Sequence, residues 1–220
     1  MTTEERLAKV ERELASLRAE LAERVRTRSV HVVDENGNER AVLALGEDGP
    51  ALEIFGPDGK RRAVLGATKD VAALGLGDEK GKLRVSLIAD KDGPRVVFSD
   101  DSGEPRARLS ADEDGPRLVL SDDRGEARAV LNADRDGSGL VLSDKNGKPR
   151  AGLAIDEDGP SLGLLDENGK PRAALDATQH GPALELYDEE GEGRAGLAVT
   201  EDGPGLRLGD ETGKVIWSAP

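Results

Sequence analysis

Glycine recurs every 22 residues from Gly37 onward, and this internal repeat constrains the fold more than any other feature of the chain. Arginine repeats eight times with the same period, from Arg40 to Arg194, and a leucine follows three residues after each arginine. The period defines an array of repeated short elements. The nine glycines of the first series stand at residues 37, 59, 81, 103, 125, 147, 169, 191 and 213.

A second glycine series, at residues 49, 93, 115, 137, 159, 181 and 203, divides each repeat into two half-units. Each half-unit alternates apolar and polar residues, which is typical of a β-strand with one buried face. In residues 106–111 this alternation places Ala107, Leu109 and Ala111 on one face. The opposite face mixes Arg, Glu and Ser with several valines, so its state of burial stays open at this point.

The turns between half-units favour antiparallel strands. Sequences such as Asp34-Glu35-Asn36-Gly37 fit a type I turn followed by a glycine in the left-handed conformation, a common hairpin closure. We therefore expect an antiparallel meander of 16 or 17 strands. The alternative is a parallel solenoid with one 22-residue coil per repeat, but it would stack the repeated arginines about 4.8 Å apart, where they repel.

Val71 occupies the one position of the second series where glycine is missing. A β-branched residue is costly at positive φ, so we expect a different turn at residues 68–71. The departure marks either a binding site or simple sequence drift.

Residues 4–28 contain no Gly or Pro and are rich in Ala, Leu, Glu and Arg, which favour a helix. Apolar residues recur there at alternating spacings of three and four, the pattern of a coiled-coil seam, and we predict that they drive oligomerisation. The residues of this seam are Leu7, Val10, Leu14, Leu17 and Leu21.

Residues 6–11, Arg-Leu-Ala-Lys-Val-Glu, resemble a trimerisation motif of short parallel three-stranded coiled coils. In that motif Arg6 and Glu11 form an ion pair between chains. The alternative interpretation is a solvated charge pattern on an Arg- and Glu-rich helix.

A meander of this length needs a second layer, because an open sheet with one bare leucine-rich face is an aggregation surface. The chain offers no further elements to cover that face, and only 2% of its residues are aromatic. We therefore expect a mainly β homotrimer in which three sheets enclose a narrow aliphatic interior. Residues 1–29 would form the coiled coil and residues 30–220 the β-repeat shaft, as a trimeric β-prism or a triple-stranded β-helix-like rod.

With the helix and repeats described, the sequence resembles the trimeric fibre proteins that form virus and phage fibre or spike shafts. In those proteins a coiled coil leads into a β-repeat shaft interrupted by Gly and Pro turns. The resemblance concerns the architecture, since the 22-residue unit matches neither the triple β-spiral repeat nor the octapeptide of phage needles. It implies a shaft, spacer or attachment role and a phage or bacterial source.

The side chains offer little material for catalysis. There is no cysteine, and His31 and His180 lie in no recognisable ligand set. Four Asp-x-Asp-Gly turns, such as residues 112–115, match a fragment of calcium loops, but turn chemistry alone explains them. We expect no catalytic residue, no metal and no cofactor.

The formal net charge of −14 opposes binding to nucleic acid or to anionic membranes. No apolar run reaches the length of a membrane span, and the first residues lack a signal-peptide pattern, so we expect neither membrane insertion nor export by a leader. On this basis the chain is cytoplasmic as synthesised, with a virion or cell surface as its later location. The eight arginines could bind anions, although pairing with neighbouring acidic groups is favoured.

Two functions remain at this point. The first is a structural trimeric fibre or stalk that acts as a rigid spacer or attachment shaft, without enzymatic activity. The alternative is a repeat-based binding module that presents a multivalent face to a carbohydrate, polymer or protein. The attachment partner of such a fibre is not defined by the sequence.

Overall fold

The computed structural model describes residues 2–23 and 27–219, which form one helix and one antiparallel sheet of eighteen strands. The helix α1 spans Thr3–Glu23. The strands are β1 Ser29–Val33, β2 Glu39–Leu45, β3 Pro50–Phe55, β4 Arg61–Ala67, β5 Ala72–Gly77, β6 Leu83–Asp90, β7 Gly93–Ser99, β8 Pro105–Asp112, β9 Gly115–Ser121, β10 Ala127–Asp134, β11 Gly137–Ser143, β12 Pro149–Asp156, β13 Gly159–Leu165, β14 Pro171–Thr178, β15 Gly181–Tyr187, β16 Gly193–Thr200, β17 Gly203–Gly209 and β18 Val215–Ala219.

Every strand pairs antiparallel with the next strand along the chain, from β1–β2 to β17–β18. The sheet is not closed, and β1 and β18 each have one strand neighbour within the described residues. The predicted meander is confirmed, and the parallel solenoid is wrong. The number of strands is eighteen instead of 16 or 17, because each of the nine glycine turns of the first series closes a complete hairpin.

The turns of the first glycine series all lie on one side of the sheet, at one end of its strands. We call this row of strand ends the first edge; it is distinct from the edge strands β1 and β18. In the turn at residues 100–103, Gly103 N–H donates to the carbonyl of Asp100 at 3.0 Å, and Gly103 has a φ of 97°. The pairing register shifts beside this turn, between Phe98 and Ser99, as expected for a type I turn with a glycine bulge. The turn geometry predicted from the sequence is confirmed.

The turns of the second glycine series lie at the opposite ends of the strands, and we call this row of strand ends the second edge. Here Asp112 and Gly115 are directly paired, so the turn is tighter than those of the first edge. Gly115 has a φ of 111°, and a Cβ built on it would lie 2.4 Å from the carbonyl oxygen of Ala133 in the next strand. Glycine is required here both by its backbone conformation and by the close approach of the neighbouring backbone.

The turn at Val71 differs from the turn at Gly115, as predicted, and it resembles the turn at residues 46–49, where Leu45 pairs with Pro50 and the Gly46 N–H donates to the Gly49 carbonyl at 3.0 Å. No described residue other than glycine has positive φ, so Val71 does not adopt the conformation of Gly115. The ladder between β4 and β5 ends at the pair Ala67 and Ala72, and the Thr68 N–H donates to the Val71 carbonyl at 2.7 Å. This leaves a four-residue turn in place of the two-residue turn found at Gly115.

The pairing registers assign side chains to the two faces of the sheet. Leu109 lies opposite Leu118 and Ala107 opposite Leu120, so the predicted apolar face is confirmed. Arg108 lies on the other face, opposite Val119. No hydrophobic side chain among the described residues is buried, because the sheet forms a single layer.

The helix is separate from this apolar face. Within residues 2–23 and 27–219, α1 makes no contact with any strand. No helix in this part of the chain combines the length and apolarity needed to cross a membrane.

Three glycine-to-alanine changes should separate the two reasons for glycine. Gly115→Ala combines positive φ with the backbone clash, and we expect it to destabilise the fold by more than about 2 kcal/mol. Gly103→Ala has positive φ but no atom within 4 Å of its Cβ. It should cost roughly 1 kcal/mol. Thermal unfolding followed by circular dichroism measures both changes.

Gly163→Ala is the matched control, because its Cβ would meet nothing within 4 Å and its φ is not positive. Alanine at this strand position should be neutral or stabilise by up to about 1 kcal/mol. Equal destabilisation by all three changes would contradict the assigned turn geometry.

Candidate assembly surface

One face of the sheet carries a continuous central row of large aliphatic side chains, which we call the leucine row. Each member lies directly opposite the next across a strand pair, from β2 to β17. The row consists of Leu43, Leu52, Leu65, Leu74, Leu87, Val96, Leu109, Leu118, Leu131, Leu140, Leu153, Leu162, Leu175, Leu184, Leu197 and Leu206.

Small and large side chains both flank the leucine row. On β8, Leu109 has Ala107 on one side and Ala111 on the other, and β4, β10 and β14 repeat this arrangement. On the intervening strands a proline commonly lies toward the second edge and a large aliphatic residue toward the first, as Pro116 and Leu120 do on β9. The face is therefore bulkiest along its centre on β4, β8, β10 and β14, whereas the odd-numbered strands from β3 to β17 carry a second large side chain toward the first edge.

This face has no cover within the described residues. Leu109 is 51% exposed and Leu206, among the less exposed members of the row, is 37% exposed. Full burial of a leucine side chain is worth about 1.5–3 kcal/mol, so each half-exposed leucine leaves roughly 1 kcal/mol unrealised. Summed along the row, this is comparable to the net stability of about 5–15 kcal/mol of a typical domain. Covering the face would therefore stabilise the sheet substantially.

The predicted oligomerisation residues all lie in α1, whose apolar seam is also exposed. Leu7, Val10, Leu14 and Leu17 are 61%, 58%, 48% and 56% exposed. Leu21 lies in the same helix, with its side chain outside the described set. The seam is therefore a second apolar surface without a partner in the described part of the chain.

Arg6 and Glu11, the charged pair of the trimerisation motif, lie exposed on the same helix.

The helix begins with a capping box that the sequence analysis missed. The Thr2 N–H donates to Glu5 Oε2 at 2.7 Å, and the Glu5 N–H donates to Thr2 Oγ1 at 3.3 Å. The Thr-x-x-Glu spacing at residues 2–5 was the available signal.

Most of the eight recurrent arginines bond oxygen atoms of two successive turns along the first edge. Arg106 bonds the carboxylate of Asp100 in its own turn and the backbone carbonyl of Asp122 in the next turn. Arg194 does the same with Asp188 and with the Asp210 carbonyl, the latter at 2.6 Å. We call this series the arginine ladder; its residues are Arg40, Arg62, Arg84, Arg106, Arg128, Arg150, Arg172 and Arg194.

Arg62 shows how the ladder adapts to a changed turn. Gly56 stands where the other turns of the first edge carry the aspartate six residues before the arginine. Arg62 instead bonds Asp58 at 3.0 Å and still reaches the carbonyl of Asp78 in the next turn. These guanidinium groups are thus occupied by acidic and carbonyl oxygens, which favours pairing over anion binding.

The first-edge aspartates also bind turn backbone, and these contacts shift their acidities. Hydrogen bonds from the side chain and backbone of Asn38 lower the pKa of Asp34 to about 2 from 3.8. The Ser102 hydroxyl and Arg106 hold the pKa of Asp100 well below its ordinary value. For Asp122, the Arg124 N–H gives the largest contribution to a lowered pKa. The ionised carboxylates are therefore integral to the turns.

The candidate catalytic and metal-binding groups do not converge. His31 Nδ1 lies 2.7 Å from Glu39 Oε1 on exposed surface, and the His180 N–H donates to the Thr178 hydroxyl at 3.2 Å. Among residues 2–23 and 27–219, no three His, Cys, Asp or Glu side chains are grouped so that they could hold a metal ion. The Asp-x-Asp-Gly turns bond their own backbone, as Asp112 does with the Asp114 N–H at 3.0 Å.

No protein-family model and no curated protein matches this chain. Among solved structures, a mutant of S. aureus TarM aligns with a TM-score of 0.31 and 10% identity, over 54% of this chain and 22% of that chain. TcdB2-TccC3 without its hypervariable C-terminal region aligns with a TM-score of 0.25 and 12% identity, over 82% of this chain and 13% of that chain. A functionally unknown protein from Desulfotomaculum acetoxidans gives a TM-score of 0.18 and 8% identity, covering 88% and 86% of the two chains. Likenesses this weak support no inference about function.

The lowered aspartate pKa values predict acid sensitivity. A carboxylate whose folded-state pKa lies below its unfolded value stabilises the fold above the unfolded pKa, and that contribution disappears as pH falls through the folded pKa. For Asp34 the window extends from its ordinary 3.8 down to about 2. The thermal midpoint should therefore fall as the pH is lowered from about 5 to about 2.

Asp122→Asn tests this dependence in one turn. It should lower the thermal midpoint at neutral pH, and its difference from the wild type should shrink in acid, where the wild-type carboxyl is itself protonated. Asp123→Asn removes the same charge one residue further along and should show no such pH-dependent difference. Parallel pH profiles for the two variants would contradict the role of Asp122.

Proposed function

We propose that this chain forms a homotrimeric stalk, in which the helix is a three-stranded coiled coil and the sheets build a non-enzymatic shaft. The observation that carries the proposal is the uncovered leucine row, which runs across sixteen strands. Copies of the same chain supply a matching row with the same spacing, so each leucine meets leucines along the whole length. Eighteen strands at about 4.8 Å give a shaft of roughly 80 Å.

The distribution of side-chain sizes favours three sheets over two. In a two-sheet sandwich the facing layers stay about 10 Å apart across their width, so side chains of similar size fill the space. In a triangular prism the space narrows toward the corners. The alanines on both sides of Leu109, repeated on β4, β10 and β14, fit that narrowing, while the central leucines fill the axis.

The helix supports the same number of copies. A single helix of 21 residues is marginal in water, and its seam is exposed along the described residues. Parallel association buries Leu7, Val10, Leu14 and Leu17 against their equivalents. Arg6 of one chain then pairs with Glu11 of another, at positions flanking the seam.

A shaft function needs rigidity and persistence, and the local structure supplies both. The arginine ladder connects most first-edge turns to the next, and six of the seven second-edge glycines admit close packing of adjacent strands. The first-edge aspartates are engaged in the turns, where the contacts that lower the pKa of Asp100 and Asp122 keep these carboxyl groups ionised. The proposed role is therefore mechanical, as a spacer or attachment shaft.

Light scattering on the intact chain tests the proposal. The measured mass should be about three times the 23.2 kDa chain mass, with a hydrodynamic radius too large for a compact particle of that mass. Leu109→Asp should reduce the trimer or its thermal midpoint severely, because a buried unpaired charge costs about 3–5 kcal/mol in each copy. A 23.2 kDa particle with its wild-type fold would refute the proposal.

Arg108→Asp is the matched control on the opposite face of the same strand. It also introduces an aspartate, but at a position that stays in water, so its cost should stay below about 1 kcal/mol. Equal losses in the two variants would show that the leucine face is not the interface.

A further inference from the structure

The last strand, β18, departs from the repeat at three positions. Ile216 stands where the arginine of the ladder recurs, Trp217 where alanine is usual, and Ala219 where the leucine row would continue. Trp217 is the only tryptophan of the chain. The departures are not a general loss of pattern, because β18 keeps its antiparallel register with β17.

Two of these changes reverse the usual side-chain sizes on one face: the large side chain lies beside the leucine row and the small one lies within it. Trp217 lies directly opposite Leu208, and Ala219 lies directly opposite Leu206. Both therefore belong to the leucine face. The central position becomes small at the same strand where the flanking position becomes large, so the indole gains room to lean toward the centre of the face.

The third change removes a ladder arginine. Each ladder arginine bonds its own turn and, in most repeats, a carbonyl of the following turn. Ile216 occupies the ladder position of β18, beyond which no further turn lies within the described residues. By strand alternation Ile216 projects from the opposite face to Trp217.

We infer that the Trp217 side chains of three copies form an aromatic layer across the apolar interior at β18, which we call the cap, each indole covering Leu206 or Leu208 of a neighbouring copy. This inference rests on the proposed trimer. In the single chain, Trp217 is 48% exposed and β18 has no second strand neighbour within the described residues.

Since the chain has one tryptophan, its fluorescence reports on this position directly. In the native assembly the emission should be shifted to shorter wavelength than in the urea-unfolded chain, and quenching by acrylamide should be several-fold weaker. The mass of the same sample is measured by light scattering. A trimer whose tryptophan is quenched as readily as in the unfolded chain would overturn the cap and leave the proposed stalk intact.

A mass of one chain would overturn both the stalk and the cap, so the two failures are distinguishable.

Variants test the reversed side-chain sizes at Trp217 and Ala219 independently of fluorescence. Trp217→Ala should preserve the trimer and lower its thermal midpoint, whereas Ile216→Ala, on the opposite face, should lower it less. Adding Ala219→Leu to Trp217→Ala restores the repeat pattern and should recover part of the lost stability.

No recovery in the double variant, together with equal effects of Trp217→Ala and Ile216→Ala, would contradict a cap built on the leucine face. It would assign to β18 only the ordinary stability of a terminal strand.

Discussion

The apolar face of the sheet has no partner among residues 2–23 and 27–219, and the rest of the structure depends on that constraint. A single layer of strands satisfies its backbone hydrogen bonds but leaves the leucine row half in water. The free energy left unrealised by incomplete burial along this row is comparable to the net stability of a typical domain. The composition is consistent with a narrow enclosed space, because aliphatic side chains line the face and only 2% of the chain is aromatic.

The turns at the two edges must reverse the chain many times without backbone strain and without repulsion between like charges. On the first edge, an aspartate binds the turn backbone and an arginine, and the arginine extends to the following turn. On the second edge, glycine admits the neighbouring backbone where a Cβ would clash. Pairing of arginine with aspartate limits repulsion in a chain of formal charge −14.

Much of the fold could be predicted from the sequence because the repeat samples each position many times. The alternation of apolar and polar residues around Leu109 predicted which side chains share a face. The Asp-x-x-Gly spacing predicted the hairpin turns, and Val71 predicted the altered turn. The arginine ladder could not be predicted from the sequence. Each arginine's partners lie six residues before it and about 16 residues after it, and only the strand pairing brings these positions together. The oligomerisation role of the α1 seam stays a prediction, since the helix and the leucine row face no second copy in a single chain.

The central claim is that other copies cover the leucine row, and the absence of cysteine allows a direct measurement of that cover. Single variants Leu109→Cys and Arg108→Cys place a thiol on opposite faces of one strand. In the native protein, a water-soluble thiol reagent should label Cys at residue 108 rapidly and Cys at residue 109 only slowly. On oxidation, the buried position should also form a disulfide between chains. Equal, fast labelling at both positions would show that the leucine face is open to water and would contradict the assembly proposed for this chain.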